Sequence, residues 1–147
     1  MRSAPHHLRN ALLTRVVSGT AALALGLGLS GCGQESVDLA GRSFTSTDVY
    51  GYDLVAGSEV TLAFEADSLA ARAGCNTIAG GVSTEDGTLE FDSQAASTMM
   101  ACDPALMAQD VWLTELLTSS PSLTLEGDTL TVGDDTNGMV LTQDGGS

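Results

Sequence analysis

The 147-residue chain is predicted to fold as an α+β domain, with about eight short antiparallel strands and one helix packed over them or at one end. Three observations predict it. Beyond Gly41 apolar and polar residues alternate, as in Val60, Leu62 and Phe64 against Glu59, Thr61 and Glu65. Gly127-Asp128 sits between Leu123/Leu125 and Leu130/Val132 as a two-residue hairpin loop. One segment alone carries helix signals, beginning at Asp103-Pro104.

The N-terminal element, residues 1–31, reads as a lipoprotein signal peptide. Arg2, Arg9 and Arg15 precede the apolar run Val16 to Leu29, and Leu29-Ser30-Gly31-Cys32 has the form of a lipobox, with small residues at the cut. The run is 14 residues long, short of the roughly 20 that a spanning helix needs. Cys32 is therefore the expected lipidated residue. The alternatives are an ordinary signal peptide with Cys32 incidental, or a short anchor. Residues 32–40 (the lipidated Cys and the polar GQESVDL stretch) are read as a tether, 41–143 as the domain, and 144–147 as a polar tail.

Within the domain, Leu69, Ala71, Ala73 and Cys75 continue the alternation with small residues, which predicts a closely packed strand. Glu85-Asp86-Gly87 is a turn ahead of Leu89 and Phe91, and a last strand with Met139 and Leu141 follows the turn at Asp134 to Gly138. In the helix Leu106, Leu113 and Leu117 share a face, flanked by Trp112 and Leu116. Asp110 intrudes at its edge, Met107 and Val111 lie opposite, and Pro121 marks the end. Tyr50 and Tyr52 are expected to share one face of a strand, lining a pocket or packing half-buried. There is no internal repeat and no sign of a second domain.

Composition excludes more chemistry than it suggests. After Cys32 there are two arginines, Arg42 and Arg72, against all 19 acids, a charge of −17, and Lys is absent throughout. Such a surface repels nucleic-acid phosphates and anionic headgroups, so no nucleic-acid partner is expected and membrane attachment falls to the lipid. One acyl chain holds only marginally, so two or more are expected on Cys32. The acidity reads as a solubilising surface in preference to an acidic docking face. His6 and His7 both lie in the leader. The remainder therefore lacks Ser-His-Asp and Cys-His dyads, His-bearing zinc sites and lysine Schiff bases.

Cys75 and Cys102 form an even pair in an oxidising compartment, which predicts a disulfide; two buried free thiols are the alternative. It would close a loop of about 28 residues and stabilise the fold by roughly 3–4 kcal/mol. Met99-Met100-Ala101-Cys102 brings at most two soft ligands to one side of a strand, so core packing is expected there and not a copper site. Asp134-Asp135-Thr136-Asn137-Gly138 lacks calcium-loop spacing and is read as a plain turn. Arg72 is expected to pair with a surface carboxylate. Among so many acids no carboxylate pair stands out for hydrolysis. Neither a cofactor nor a metal is expected.

Gly74-Cys75-Asn76, Gly80, the run Ser97-Thr98-Met99-Met100-Ala101-Cys102 and the helical Trp112-Leu113-x-x-Leu116-Leu117 together resemble the META domain, the HslJ-like family of bacterial envelope proteins and lipoproteins. Leu123-x-Leu125-x-Gly127-Asp128-x-Leu130 matches as well, and the resemblance spans about Gly41 to Thr142. Two positions depart from the pattern. Phe44 stands where the family often has Trp, and Val82 where it often has an aromatic, both changes that keep an apolar side chain. The resemblance implies a conical, barrel-like sheet capped by a helix. It also implies a structural role for Cys75 and Cys102, and an association with envelope stress and antibiotic tolerance without a catalytic residue to carry over.

The expected function is thus a lipid-anchored, extracytoplasmic, non-enzymatic module that binds an envelope protein. A carrier of a small apolar ligand is the alternative if the barrel holds a void, and a carboxylate-based hydrolase a remote one if two acids face each other in its interior.

Overall fold

A computed structural model describes residues 36–145; the signal peptide and Cys32 lie outside the described residues. The strands are β1 (Ser43–Tyr50), β2 (Thr61–Phe64), β3 (Ser68–Arg72), β4 (Thr77–Ser83), β5 (Glu90–Phe91), β6 (Ala96–Ser97), β7 (Leu123–Glu126), β8 (Thr129–Gly133) and β9 (Gly138–Gln143), with helix α1 (Pro104–Thr118) between β6 and β7. They form one sheet in the order β5-β4-β3-β2-β1-β9-β8-β7, with β6 added on β4, and every pairing is antiparallel. The sheet curls until its two ends meet: Leu89 N donates to Pro121 O at 2.9 Å, Leu123 N to Gly87 O at 2.8 Å, and Thr88 bridges Ser122. The result is the expected α+β, barrel-like sheet with one helix.

Alternation decides which side chains enter the curl. Phe44, Leu62, Phe64, Leu69, Ala71, Leu130, Val132, Met139 and Leu141 are buried inside it, and Phe44 meets Phe64 edge to face at 6.0 Å. The β7–β8 hairpin has the expected two-residue loop, with Glu126 opposite Thr129 and Gly127 at φ +61°. The connections β1–β2, β3–β4 and β8–β9 all emerge at the same end of the sheet, because each joins an outgoing strand to its returning antiparallel neighbour. Helix α1 caps that end, adding Trp112, Leu113, Leu116 and Leu117 to the core.

Several expectations change on contact with the structure. Val37 and Leu39, read as tether, belong to the fold: Val37 N donates to Thr84 O, Thr84 Oγ1 donates to Val37 O at 2.8 Å, and Leu39 is buried. Asp144, read as tail, donates its N–H to Ser43 O and accepts from Thr45 Oγ1. Tyr50 and Tyr52 do not share a face. The β1–β9 register shifts between Ser46 and Asp48, which turns Val49 inward and leaves Tyr50 exposed. Gly51 then leaves the strand at φ +77°, where a side chain would collide with Thr136 O, and Tyr52 stacks on Trp112 at 5.0 Å. Asp103 precedes α1 as expected, with Pro104 opening the helix, yet its side chain makes no capping bond. Arg72 reaches the carbonyl of Gly74 at 3.5 Å in place of a carboxylate. Arg42 is the arginine in an ion pair among the described residues, 3.9 Å from Asp128.

Candidate functional site

The β3–β4 connection, Ala73 to Asn76, lies under α1 and collects the sequence features that the hydrophobic pattern leaves unexplained. Gly74 adopts φ +133°, and a Cβ there would press on Leu106 and on Gln109 Nε2 at 3.0 and 3.1 Å. A glycine lets helix and connection touch at this point. Cys75 is disulfide-bonded to Cys102 with 6.1 Å between the Cα atoms, which ties the connection to the chain entering α1. The expected pairing is therefore present.

Asn76 is buried and uses its whole side chain. Its Oδ1 accepts from Met100 N at 2.7 Å and from Thr98 Oγ1 at 3.0 Å. Its Nδ2 donates to Asp110 Oδ2 at 3.0 Å, and its backbone N–H donates to the same oxygen at 2.9 Å. Thr98 Oγ1 also receives Thr77 N at 3.0 Å. One side chain thus joins β4, the segment 98–102 and the helix.

The neighbouring helical residue makes a second junction. Gln109 is wholly buried; its Nε2 donates to Ala73 O and to Ser58 Oγ, and its Oε1 accepts from Val55 N. Gln109 and Asp110 fall three and four positions after Leu106, on the apolar face of α1. Sequence reasoning treated Asp110 as an intrusion and passed over Gln109. Polar residues on a buried stripe signal a hydrogen-bonded network, since burying them without partners would be costly.

Met99 and Met100 are the clear correction. Expected in the core, they stand 97% and 54% exposed. The cause is local: residues 98–103 form no strand, and Asn76 takes the Met100 N–H and the Thr98 hydroxyl, drawing the backbone inward and turning the thioethers out. Met107 and Val111 are exposed beside them on α1, as the helical pattern predicts. An open groove of about 470 Å³ runs between, lined by Ile78, Met99, Met107, Val111, Thr114 and Asp110 among others. Asp110 is the one buried carboxylate among the described residues, and its Oδ1 is covered and has no hydrogen-bond partner.

Of the remaining motif residues, Gly80 packs so closely that an added Cβ would lie 2.9 Å from Ala95 Cβ. Trp112 is buried in the cap, with Nε1 donating to Asn137 Oδ1 at 3.1 Å. The segment Asp134 to Asn137 turns the chain from β8 into β9. Asp134 Oδ1 accepts from Thr136 Oγ1 and from the N–H groups of Thr136 and Asn137, and these bonds, the hydroxyl's foremost, hold its carboxyl below the usual range. No cluster of three or more His, Cys, Asp or Glu side chains suited to a metal occurs among the described residues.

No curated protein matches the chain in sequence. Two solved structures resemble it in fold. An NMR structure of a protein from Burkholderia xenovorans aligns with a TM-score of 0.57 at 18% identity, covering 72% of this chain and 83% of that one. A second NMR structure gives 0.57 at 20% identity, covering 69% and 88%. The family model of the META domain matches residues 37–145, starting at the residue where the described fold begins to pair, and on that match this chain belongs to the META domain family.

Proposed function

We propose that this META chain is a lipid-anchored, non-enzymatic interaction module that binds an envelope protein through the face formed by Met99, Met100, Met107 and Val111. The observation that carries the proposal is the exposure of those side chains beside a groove, on a segment fixed from below by Asn76 and the Cys75–Cys102 disulfide. A fixed apolar face costs solubility, so it marks a contact surface, and methionines adapt to varied partners. The lipobox at Leu29 to Cys32 supports anchoring outside the cytoplasm, and the resemblance to envelope lipoproteins suggests stress or antibiotic tolerance as the setting. Carriage of an apolar ligand draws no support from the barrel interior, which Phe44, Leu62, Phe64, Leu130 and Met139 occupy. Hydrolysis by paired carboxylates draws none from Asp110, the described acid that is buried without a second one.

A photocrosslinking residue at position 99 in the membrane-bound protein, compared with one at Glu126 on the β7–β8 hairpin, tests the face. A discrete protein adduct from position 99 alone is expected; equal or absent adducts at both positions reject it. Intact mass of the membrane extract tests the anchor: a chain beginning at Cys32 with diacylglycerol is expected, and a bare chain rejects it.

A further inference from the structure

The groove contains one feature that a general apolar contact surface does not need. Asp110 is 8% exposed, and its two carboxylate oxygens differ. Oδ2 receives two N–H groups from Asn76, whereas Oδ1 receives none. A carboxylate oxygen buried without a donor is costly, and a hydrogen bond from a cation offsets that cost better than one from a neutral group. Around it the groove is apolar, with Ile78, Met99, Met107 and Val111 on its walls, and Glu115 supplies a second negative charge at the rim. Its volume of about 470 Å³ accepts one long side chain with its alkyl stem.

Resting on the proposed Met-face function, we infer that this groove takes a lysine side chain from the partner protein, with the stem between Met107 and Val111 and the ammonium donating to Asp110 Oδ1. Charge complementarity favours this occupant, since the chain itself contains no lysine and carries 19 acids. A second copy therefore has no lysine to offer. A protein segment is favoured over a free amine because Met99 and Met100 continue the apolar surface beyond the groove. Oδ1 is covered, so admitting the ammonium requires a rim side chain to move; Met107 is exposed and unbranched, and its sulfur is held there by weak contacts, 3.7 Å from Asn76 Nδ2 and 3.7 Å from Cys75 Sγ.

The test is an NMR titration of the full chain in detergent micelles, with ¹³C-labelled methionine methyls, the buried Met139 serving as internal reference. Two pentapeptides are compared, acetyl-Gly-Leu-Lys-Leu-Gly-amide and its norleucine counterpart, which keeps the stem and lacks the charge. The lysine peptide is expected to shift Met99, Met107 and the Asn76 side-chain amide, and to bind about tenfold more tightly than the norleucine peptide. Asp110→Asn keeps an oxygen for the two Asn76 donors and places an NH₂ where Oδ1 was, so it should abolish the preference. Equal binding of both peptides overturns the ammonium site and leaves the Met face intact. Loss of all shifts overturns the site too, and crosslinking at position 99 then judges the face independently. Should Asp110→Asn fail to fold, an acetyl-lysine peptide replaces it; if that peptide binds as well as lysine does, the site is overturned.

Discussion

Replacing Asn76 by Ala removes its three shortest side-chain hydrogen bonds together with longer Nδ2 contacts to Met100 O and to the sulfurs of Cys75 and Met107, and the environments of the three short ones set the magnitude. The Nδ2 bond goes to the buried carboxyl of Asp110, worth about 1.5–3 kcal/mol because water does not replace the donor there. The bonds from Met100 N and Thr98 Oγ1 lie in an exposed segment where water can substitute, so each contributes about 0.5 kcal/mol. The sum is about 2.5–4 kcal/mol, a large part of the roughly 5–15 kcal/mol typical of a domain. With a urea slope of about 1.5 kcal/mol/M the unfolding midpoint should fall by about 2 M. Hydrogen exchange of the Met100 amide should rise towards the rate of an open loop, while strand amides in β2 and β9 track the global loss. A midpoint shift below about 0.5 M with Met100 still protected would show that the segment 98–102 is held by the disulfide and the Thr98–Thr77 bonds, and would refute the role given to Asn76.

Gln109→Ala should destabilise by about 3–5 kcal/mol, since Ala73 O is left buried and unpaired and a cavity forms beneath Ser58. A fall in Tm of about 12–20 °C is expected, and a change under 3 °C would contradict the network. Exchanging both Cys75 and Cys102 for Ser opens the crosslinked loop, with 27 residues of separation, and should cost about 3–4 kcal/mol by denaturant titration. A loss no greater than that of an exposed substitution would count against it. For Asp134 the folded carboxyl titrates below its unfolded value, so its contribution is fully present above the ordinary carboxylate range and disappears as pH falls through the lowered folded value. Carboxyl NMR titration should place Asp134 below the ordinary aspartate range, and Thr136→Ala should raise it; an unmoved titration would exclude the hydroxyl as the main cause.

The strands and the hairpin were legible because alternation is a local signal. Val60, Leu62 and Phe64 face inward for the reason their spacing predicts, and Gly127-Asp128 turns the chain within two residues. The disulfide was legible from cysteine parity. What escaped the sequence depended on partners distant along the chain. Met99 and Met100 read as core because apolar residues usually are, yet Asn76, more than 20 residues earlier, decides their orientation by taking the intervening amide. Gln109 read as unremarkable because nothing near it names Ala73 or Ser58 as its partners. Asp110 was noticed as a break in the apolar stripe, but only the folded chain shows which of its oxygens is satisfied.

Stability alone does not explain the polar junction under α1. An apolar side chain of similar volume at Asn76 and another at Asp110 would remove the desolvation of a carboxylate, and such exchanges are often neutral or stabilising. What apolar side chains could not do is direct backbone. Residues 98–103 lie outside any strand, so beyond the Thr98–Thr77 bonds that continue β6 their register against β4 would, without Oδ1 of Asn76, rest on the disulfide at Cys102. The hydrogen bond to Met100 N fixes that register midway, at the point from which Met99 projects into solvent. The same Asn76 occupies one oxygen of Asp110, a residue that lines the groove, and leaves the other covered and without a donor. Placement of the exposed methionines and preparation of the carboxylate are therefore two consequences of a single side chain, so the recognition proposed above would rest on the same Gly74-Cys75-Asn76 and Thr98-to-Cys102 segments that hold the fold.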